Sequence, residues 1–323
     1  MINEQKNMNI IKTFKKKGFV FGDQIINQDE LHDLRDHLDI EFSNHQSYKG
    51  VALEIDQFKD LDLAKKIIKI LFSEQTRNII KKFEEISPTP VSILPPIHVH
   101  KNYHNNLIKT LGWHRDCGGE LKYKYCKNKI FNKNYLFTKI GIYLQENNEY
   151  GGGIDIIKYS HKNFSKLRFF LRKINSVPLK IVSIFHKYFT KLYLKISENF
   201  FMIFLQGEKL NPRISSPIFF DSRLIHRGTP VSRNFINNLK FTNKENQLNL
   251  PKNKTKYVIY SHFGNSEAVD SYMYDRLKRK NNSGELDIWL SQINFISKID
   301  NKLSQRMNEI LRPILEKYKQ KIL

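Results

Sequence analysis

Three residues of this chain have the types and spacing of metal ligands. His114 and Asp116 stand one residue apart in the run Leu-Gly-Trp-His-Arg-Asp-Cys-Gly-Gly, and His226 lies far downstream in Asp-Ser-Arg-Leu-Ile-His-Arg-Gly. Residues one apart on a strand project from the same face, so we expect His114 and Asp116 to reach one ion and a second strand to supply His226. Two imidazoles and one carboxylate leave the other side of a metal open, which is the arrangement of non-heme iron(II) oxygenases. The sequence therefore predicts an iron(II) site.

The middle of the chain predicts the strands that must position these ligands. Four prolines between residues 88 and 96 disfavour helix. Several short strands separated by turn residues favour a sandwich or jelly roll over a parallel α/β sheet. The apolar segments predict strands at 91–94, 97–100, 112–116, 135–145, 154–159, 216–221 and 257–262.

Helical segments precede the predicted strands. Asn27 and Glu30 have the spacing of a capping box, so we expect an amphipathic helix after a short strand within residues 14–21. Residues 60–85 extend this helical layer, with a new helix start at Ser73.

A basic helical insertion is predicted between the strands. Residues 162–210 have apolar side chains at helical spacing, accompanied by lysines and arginines. Amphipathic helices usually bury their apolar stripe against the protein, which favours an insertion packed on the core. A lid over the site and a membrane-surface patch are the alternatives. Residues 234–255, rich in Asn and Lys, predict a loop between two core strands.

Together these elements predict an α+β fold in a single oxygenase domain. Its core is expected to be a double-stranded β-helix, a cupin-like jelly roll, flanked by helices. The predicted parts of the domain 1–323 are an N-terminal strand and helical layer at 1–87, a jelly-roll core at 88–161 and 211–265, a helical insertion at 162–210 and C-terminal helices at 266–323.

The composition bounds the class of protein. Hydrophobic residues make up 40% and charged residues 27% of the chain, which argues against a disordered chain or an integral membrane protein. The chain has two cysteines and no segment resembling a secretory signal, so we expect a cytoplasmic protein. The uncharged stretch 199–206 is too short to span a bilayer. Peripheral contact with the inner face of the membrane stays open.

The net charge of +22 indicates an affinity for anions. A field of this sign attracts phosphate, anionic lipid, nucleic acid or an acidic substrate, and it does not choose among them. Coding bias toward Lys, Asn and Ile, with a solvated basic surface, explains the charge equally well.

The order of the motifs resembles the phytanoyl-CoA dioxygenase family of iron(II)/2-oxoglutarate oxygenases. In that family a Gly-Gly-x-Leu strand leads to a Pro-Gly-Ser-His turn between the two metal-binding segments. Here Gly151-Gly-Gly-Ile-Asp-Ile-Ile-Lys-Tyr-Ser-His161 stands in that place, with Lys158 and Tyr159 replacing the Pro-Gly pair. The resemblance covers most of the chain apart from the insertion and the tail, and it implies 2-oxoglutarate as co-substrate.

The resemblance also implies where 2-oxoglutarate binds. The family has an arginine at the start of the strand after the distal histidine, and this arginine pairs with the far carboxylate of 2-oxoglutarate. Aligning the Ser-His-Phe-Gly end of the corresponding strand puts Lys256 in that place, which keeps the charge but not the bidentate fork. Arg233 is the second candidate and Lys139 the third.

The activity implied by the resemblance is hydroxylation of a small-molecule, lipid-like or sugar-linked substrate, with release of succinate and carbon dioxide. Asp116 argues against a halogenase, because a halide needs the coordination position of the carboxylate. The alternative is a non-catalytic, basic jelly-roll protein that binds nucleic acid or an anionic membrane surface. Nucleic acid is the weaker partner, since the sequence has no helix-turn-helix, zinc-finger or RNA-recognition signature.

A second metal site is a further alternative for three histidines upstream of the motif. His98 and His100 share a strand face, and His104 follows. Zinc could bind such a set, but no cysteine or carboxylate accompanies these histidines. Packing is therefore the favoured role for them.

Overall fold

A computed structural model describes most of the chain. The described residues are 2–45, 52–102, 113–117, 123–146, 153–162, 200–229, 256–280 and 284–322. Outside these ranges lie Arg233, His104, the predicted loop 234–255 and most of the predicted insertion (163–199).

The larger of two sheets has six strands. These are β1 (Phe19–Phe21), β2 (Ala52–Glu54), β3 (Val91–Asn102), β4 (Phe137–Tyr143), β7 (Pro217–Asp221) and β9 (Lys256–Asn265). All their pairings are antiparallel, in the order β1-β7-β4-β9-β3-β2. The strands β3 and β9 are the longest of the sheet, and they pair with each other along most of their length.

The smaller sheet carries the distal histidine. Its strands are β5 (Ile154–Ile157), β6 (Gly207–Leu210) and β8 (His226–Gly228), in the order β6-β5-β8. His114 extends this sheet through an antiparallel bridge with His226.

The chain alternates between the two sheets. It runs from β3 in the large sheet to His114 in the small one, returns to β4, continues through β5 and β6, and passes by β7 and β8 to β9. An apolar cluster with members from both sheets, including Tyr143, Ile156 and Val258, lies between them. This is the double-stranded β-helix that the sequence predicts, and the jelly-roll fold class is confirmed.

Helices cover the outer face of the large sheet. They are α1 (Ile2–Lys17), α2 (Gln28–Asn44), α3 (Leu61–Leu71), α4 (Glu74–Ile86), α5 (Lys124–Ile130), α6 (Ser266–Lys280), α7 (Gly284–Ile299) and α8 (Asn301–Ile322). Alternate residues of β9 point to this layer, where Ile259 and Phe263 join a core with Leu38, Phe83 and Trp289. None of the described helices is long and apolar enough to cross a membrane.

Two of the predicted helix starts are confirmed by their caps. The Asn27 side chain accepts from Glu30 N at 2.9 Å, and the Glu30 carboxylate accepts from Asn27 N at 3.4 Å. Ser73 Oγ accepts from Thr76 N at the start of α4.

Local structure differs from the sequence expectations at three places. Phe14 belongs to α1, and only Phe19–Phe21 forms the first strand. The strands expected at 91–94 and 97–100 are one strand, because a register shift between Leu94 and His98 accommodates the two prolines, which cannot donate to the ladder. Strand β6 lies within the last part of the predicted insertion.

Candidate metal centre

Two backbone hydrogen bonds join the segments that carry the two histidines. His114 N donates to His226 O at 2.9 Å, and His226 N donates to His114 O at 2.8 Å. Residues paired in this way across antiparallel strands present their side chains on the same face. The imidazole ring centroids lie 4.3 Å apart. The backbone itself therefore brings the two histidines together.

Asp116 reaches the histidines from a turn rather than from a strand. The sequence expectation of a strand through residue 116 is therefore wrong, since the bridge at His114 is followed by a turn at Asp116 and Cys117. Cys117 N donates to Ser222 O at 3.3 Å, which ties the turn to the segment after β7. The turn still directs the carboxylate toward both rings.

The structure brings the three predicted ligands together. Asp116 Oδ1 lies 3.9 Å from His114 Nε2, and Asp116 Oδ2 lies 3.8 Å from His226 Nε2. Among the described residues, these three are the one group of His, Cys, Asp or Glu whose ligand atoms all lie within 4.8 Å of one another. Two imidazole nitrogens and a carboxylate are a donor set suited to a divalent iron ion.

The buried histidine has its free nitrogen directed toward Asp116. His226 Nδ1 lies 3.0 Å from Leu224 O, and because a carbonyl oxygen only accepts, Nδ1 must hold the proton. Nε2 is then left with a lone pair for a metal, as in most metal-binding histidines. Burial lowers the pKa of His226 to about 3, with the His114 ring as a second cause. The ring is therefore neutral at physiological pH.

The third candidate ligand, His114, is exposed to solvent. The His114 side chain is 47% exposed, whereas those of His226 and Asp116 are 5% and 12% exposed. The site is thus deep on the His226 side and accessible on the His114 side. A small ligand can approach from that side.

Asp116 has one oxygen without a hydrogen bond. Its Oδ2 is buried and accepts from no donor in the described part of the chain, although Lys139 Nζ lies 3.6 Å away. Burial raises the pKa of Asp116, but the positive charge of Lys139 leads the opposing effects, and the pKa lies well below its ordinary value. The carboxylate is therefore ionised and has a free acceptor atom, which fits a metal ligand.

The inner face of the large sheet forms the wall beside Lys139. Lys139 Nζ lies 4.7 Å from the centre of the Tyr260 ring, and His98 and His100 pack against the same ring. Burial lowers the pKa of His100 to about 4 and that of His262 to about 3, with Lys139 contributing in both cases. The wall is thus neutral and polar apart from Lys139.

The alternative of a second metal site concerns His98 and His100 of this wall. The His98 and His100 ring centroids lie 4.7 Å apart, but neither residue belongs to a group of three potential ligands there. Packing against Tyr260 is their observed role, and His104 lies outside the described residues.

Lys256 is buried at the start of β9. Alternation along β9 puts it on the face of Val258 and Tyr260, which is the face toward the small sheet. The residue is 2% exposed, and its Nζ has no hydrogen-bond partner among the described residues. Burial lowers the pKa of Lys256 to about 7. No described carboxylate pairs with this amine, and a carboxylate ligand could supply the counter-ion.

Sequence reasoning missed a second buried aspartate behind the site. Asp155 on β5 faces away from the barrel interior and binds Arg227, whose Nε donates to Asp155 Oδ2 at 2.9 Å. Thr229 Oγ1 donates to Asp155 Oδ1 at 2.8 Å, and the Arg227 guanidinium lies over the Trp113 ring at 4.5 Å. The signal was a charged residue within the apolar run Ile-Asp-Ile-Ile, which needs a partner if the strand is buried.

The turn at residues 158–161 forms without the Pro-Gly pair of the family that the sequence resembles. Tyr159 stands in the place of glycine and has a left-handed φ of 56°. Ser160 Oγ accepts from Ile225 N at 2.7 Å, next to the distal metal-ligand candidate His226. The turn therefore still supports the segment that carries this histidine.

Comparison with known proteins gives structural likeness at low identity. No family model matches the chain, and no curated protein matches it in sequence. HygX from Streptomyces hygroscopicus, solved with nickel and 2-oxoglutarate bound, is 11% identical with a TM-score of 0.46, over 80% of this chain and 86% of that one. SnoN, described as a non-heme alpha ketoglutarate dependent epimerase from nogalamycin biosynthesis, is 9% identical with a TM-score of 0.42, over 81% and 82% of the two chains.

A third solved structure is similar to the same degree. SnoK, described as a non-heme alpha ketoglutarate dependent carbocyclase from nogalamycin biosynthesis, is 9% identical with a TM-score of 0.44, over 80% of this chain and 83% of that one. At such identities the site must be judged from this chain's own geometry. Membership of the phytanoyl-CoA dioxygenase family stays a prediction.

Proposed function

We propose that this protein is an iron(II)/2-oxoglutarate-dependent oxygenase. The observation that supports this most is the convergence of His114, Asp116 and His226, whose ligand atoms lie within 4.8 Å of one another. They come from one turn and two bridged segments of a jelly roll, so the donor set combines neutral nitrogens with one negative oxygen. Such a set leaves positions on the metal for a co-substrate and dioxygen.

Each residue of the set has a distinct role in this proposal. His226 Nε2 and the free Oδ2 of Asp116 would hold the ion on the buried side, and His114 would complete the set on the exposed side. Iron(II) with 2-oxoglutarate supplies the oxidation of a C–H bond by dioxygen, with release of succinate and carbon dioxide. The neutral state of His226 keeps its nitrogen available at physiological pH.

Lys256 is the proposed partner of the far carboxylate of 2-oxoglutarate. A buried ammonium without a partner is costly, and a carboxylate ligand would satisfy it with a charge-assisted hydrogen bond. Lys139 is less suited to this carboxylate, because its Nζ already lies 3.6 Å from a metal-ligand candidate. Arg233 lies outside the described residues and stays the second candidate.

The walls of the site support chemistry sheltered from water. Phe220 packs edge-on against the His226 ring at 4.9 Å, and Tyr143, Ile156 and Val258 fill the space between the sheets. Exclusion of water strengthens electrostatic interactions and limits side reactions. The accessible side at His114 is then the entry for the substrate, which we propose to be a small molecule that is hydroxylated.

Anaerobic reconstitution tests this function. The purified protein is loaded with iron(II) and 2-oxoglutarate without oxygen, and the charge-transfer absorption of the bound keto acid is recorded. Oxygen is then admitted, and succinate and oxygen uptake are measured across candidate acyl, sugar and nucleotide compounds. We expect the absorption band and succinate in the native protein and neither in His114→Ala. A native protein that binds no divalent metal would rule out the proposal.

The net charge of +22 supports a second candidate, a basic binding protein without catalysis. Such a protein would bind nucleic acid or anionic vesicles with a steep dependence on salt, because counterions are released on binding. Its binding would not respond to His114→Ala. Salt titrations with duplex DNA and with vesicles containing phosphatidylserine separate the two candidates.

A further inference from the structure

A partly exposed ion pair lies where the proposed metal would bind. Lys139 Nζ lies 3.6 Å from Asp116 Oδ2, and their side chains are only 17% and 12% exposed. The lysine carries one positive charge and the aspartate one negative charge. The formal charge of this pair is therefore zero before any ligand binds.

Other contacts hold the lysine in place. Lys139 on β4 pairs in register with His262 on β9, and its ammonium lies over the Tyr260 ring at 4.7 Å. Gly141 leaves room for this ring, because a Cβ there would come within 3.1 Å of Tyr260 Cε1. Both the carboxylate and the aromatic face stabilise the ammonium group in this position.

This charge has opposite effects on the two proposed ligands. A divalent ion bound at Asp116 would be repelled by the lysine in surroundings that screen charge poorly. A keto acid dianion bound at the ion would be attracted, and it would return the local charge from two positive units to zero.

We propose that Lys139 couples the binding of metal and co-substrate: it weakens the binding of metal alone and strengthens the binding of the keto acid to the metal-loaded site. The inference rests on the proposed function and deepens it. It implies that the site binds metal and keto acid together more favourably than metal alone. Lys139 acts here through its charge on both ligands, whereas Lys256 would bind the far carboxylate directly. The coupling is reciprocal, as any linkage between two bound ligands must be.

Binding measurements without turnover test the coupling. Dissociation constants for Mn(II) alone, and for 2-oxoglutarate on the Mn(II)-loaded protein, are measured by calorimetry without oxygen in native protein, Lys139→Met and Lys139→Arg. In Lys139→Met we expect Mn(II) to bind about tenfold more tightly and 2-oxoglutarate about tenfold more weakly. Lys139→Arg keeps the charge, so both constants should stay near the native values.

A matched control is available in the helical layer. Lys65 on α3 forms an exposed ion pair with Asp62 at 2.9 Å, and Lys65→Met should leave both constants unchanged. Circular dichroism monitors folding, and the neutral Lys139→Gln replaces Lys139→Met if the latter does not fold.

The outcomes separate this inference from the proposed function. If both ligands bind more weakly in the neutral variant, Lys139 has a structural role and the coupling is refuted. If neither constant changes, the coupling is refuted and the oxygenase proposal stands. If the native protein binds no Mn(II), both proposals fail.

Discussion

Two buried aspartates of this protein have opposite surroundings. Asp155, fully buried behind the small sheet, has both carboxylate oxygens bound, one by Arg227 and the other by Thr229, at 2.9 and 2.8 Å. Asp116, in the candidate metal centre, has a buried oxygen without a hydrogen bond and a lysine 3.6 Å away. The two lie on segments joined through β8, so they belong to the same small region of the fold.

The difference indicates that the charge of Asp155 stabilises the fold, whereas the charge of Asp116 is available to a ligand. A buried carboxylate with all its partners is a structural group, because the protein itself satisfies it. A buried carboxylate with a free acceptor atom is costly to the fold and is explained by something that binds there. Lys256 fits the second category, since its amine is also buried without a partner among the described residues.

The largest effect is expected at the satisfied aspartate. Asp155→Ala leaves the Arg227 guanidinium buried and unpaired, so the free energy of unfolding should fall by about 3–5 kcal/mol. Chemical denaturation measures this loss. In the double variant Asp155→Ala/Arg227→Met we expect part of the stability to return, because no charge is then left unpaired. An Asp155→Ala protein as stable as the native one would contradict the comparison.

The unsatisfied aspartate should behave in the opposite way. In Asp116→Ala we expect the affinity for Mn(II) or iron(II) to fall more than about 100-fold, because a ligand is lost rather than a supporting contact. The free energy of unfolding without metal should stay within about 1 kcal/mol of the native value, because the ion pair of Asp116 with Lys139 is longer than a hydrogen bond and partly exposed. Equilibrium dialysis and denaturation of the same samples give both numbers. Strong destabilisation with unchanged metal affinity would reverse the assignment of the two aspartates.

A smaller effect is expected at Lys256. Lys256→Met removes a buried amine but keeps the length of the side chain, so the protein should be as stable as the native one or more stable. The affinity of the metal-loaded protein for 2-oxoglutarate should fall about 10- to 100-fold, as for the loss of a charge-assisted hydrogen bond. Calorimetry measures the affinity, and Arg233→Met is the matched comparison. If only Arg233→Met weakens binding, the far carboxylate is bound by Arg233.

The smallest effect concerns pH. Burial lowers the pKa of His100 to about 4, below its ordinary value of 6.5, so the unfolded chain binds more protons than the folded one between these values. This residue therefore makes stability fall as the pH decreases from 6.5 to 4. His100→Gln should flatten that part of the curve, whereas His32→Gln, at an exposed position of α2, should not. Thermal unfolding across pH 4 to 7 measures the slope, and equal slopes in native and His100→Gln proteins would count against a buried neutral His100.

The fold class and the candidate ligands were predictable because they depend on local sequence. The spacing of His114 and Asp116, the strand alternation and the caps at Asn27 and Ser73 are properties of a few neighbouring residues. The predicted position of Asp116 on a strand was wrong, since the turn there depends on a hydrogen bond to Ser222, more than a hundred residues away.

Long-range contacts explain what the sequence did not predict. The ion pair of Lys139 with Asp116 and the pairing of Asp155 with Arg227 depend on register between strands that are distant in the chain. Lys139 and Asp155 were visible as charges within apolar segments, but the sequence did not show which residue each of them pairs with. The continuous strand through Pro95 and Pro96 likewise depends on pairing with β9.

The paired hydrogen bonds between His114 and His226 have a consequence for how the protein would lose and regain a metal ion. They belong to the backbone, so they hold the two rings side by side whether or not an ion is present. Emptying the centre then demands no local unfolding, and refilling it demands no refolding. A preparation stripped by a chelator should regain its ion on simple dialysis, with reversible exchange rather than irreversible inactivation.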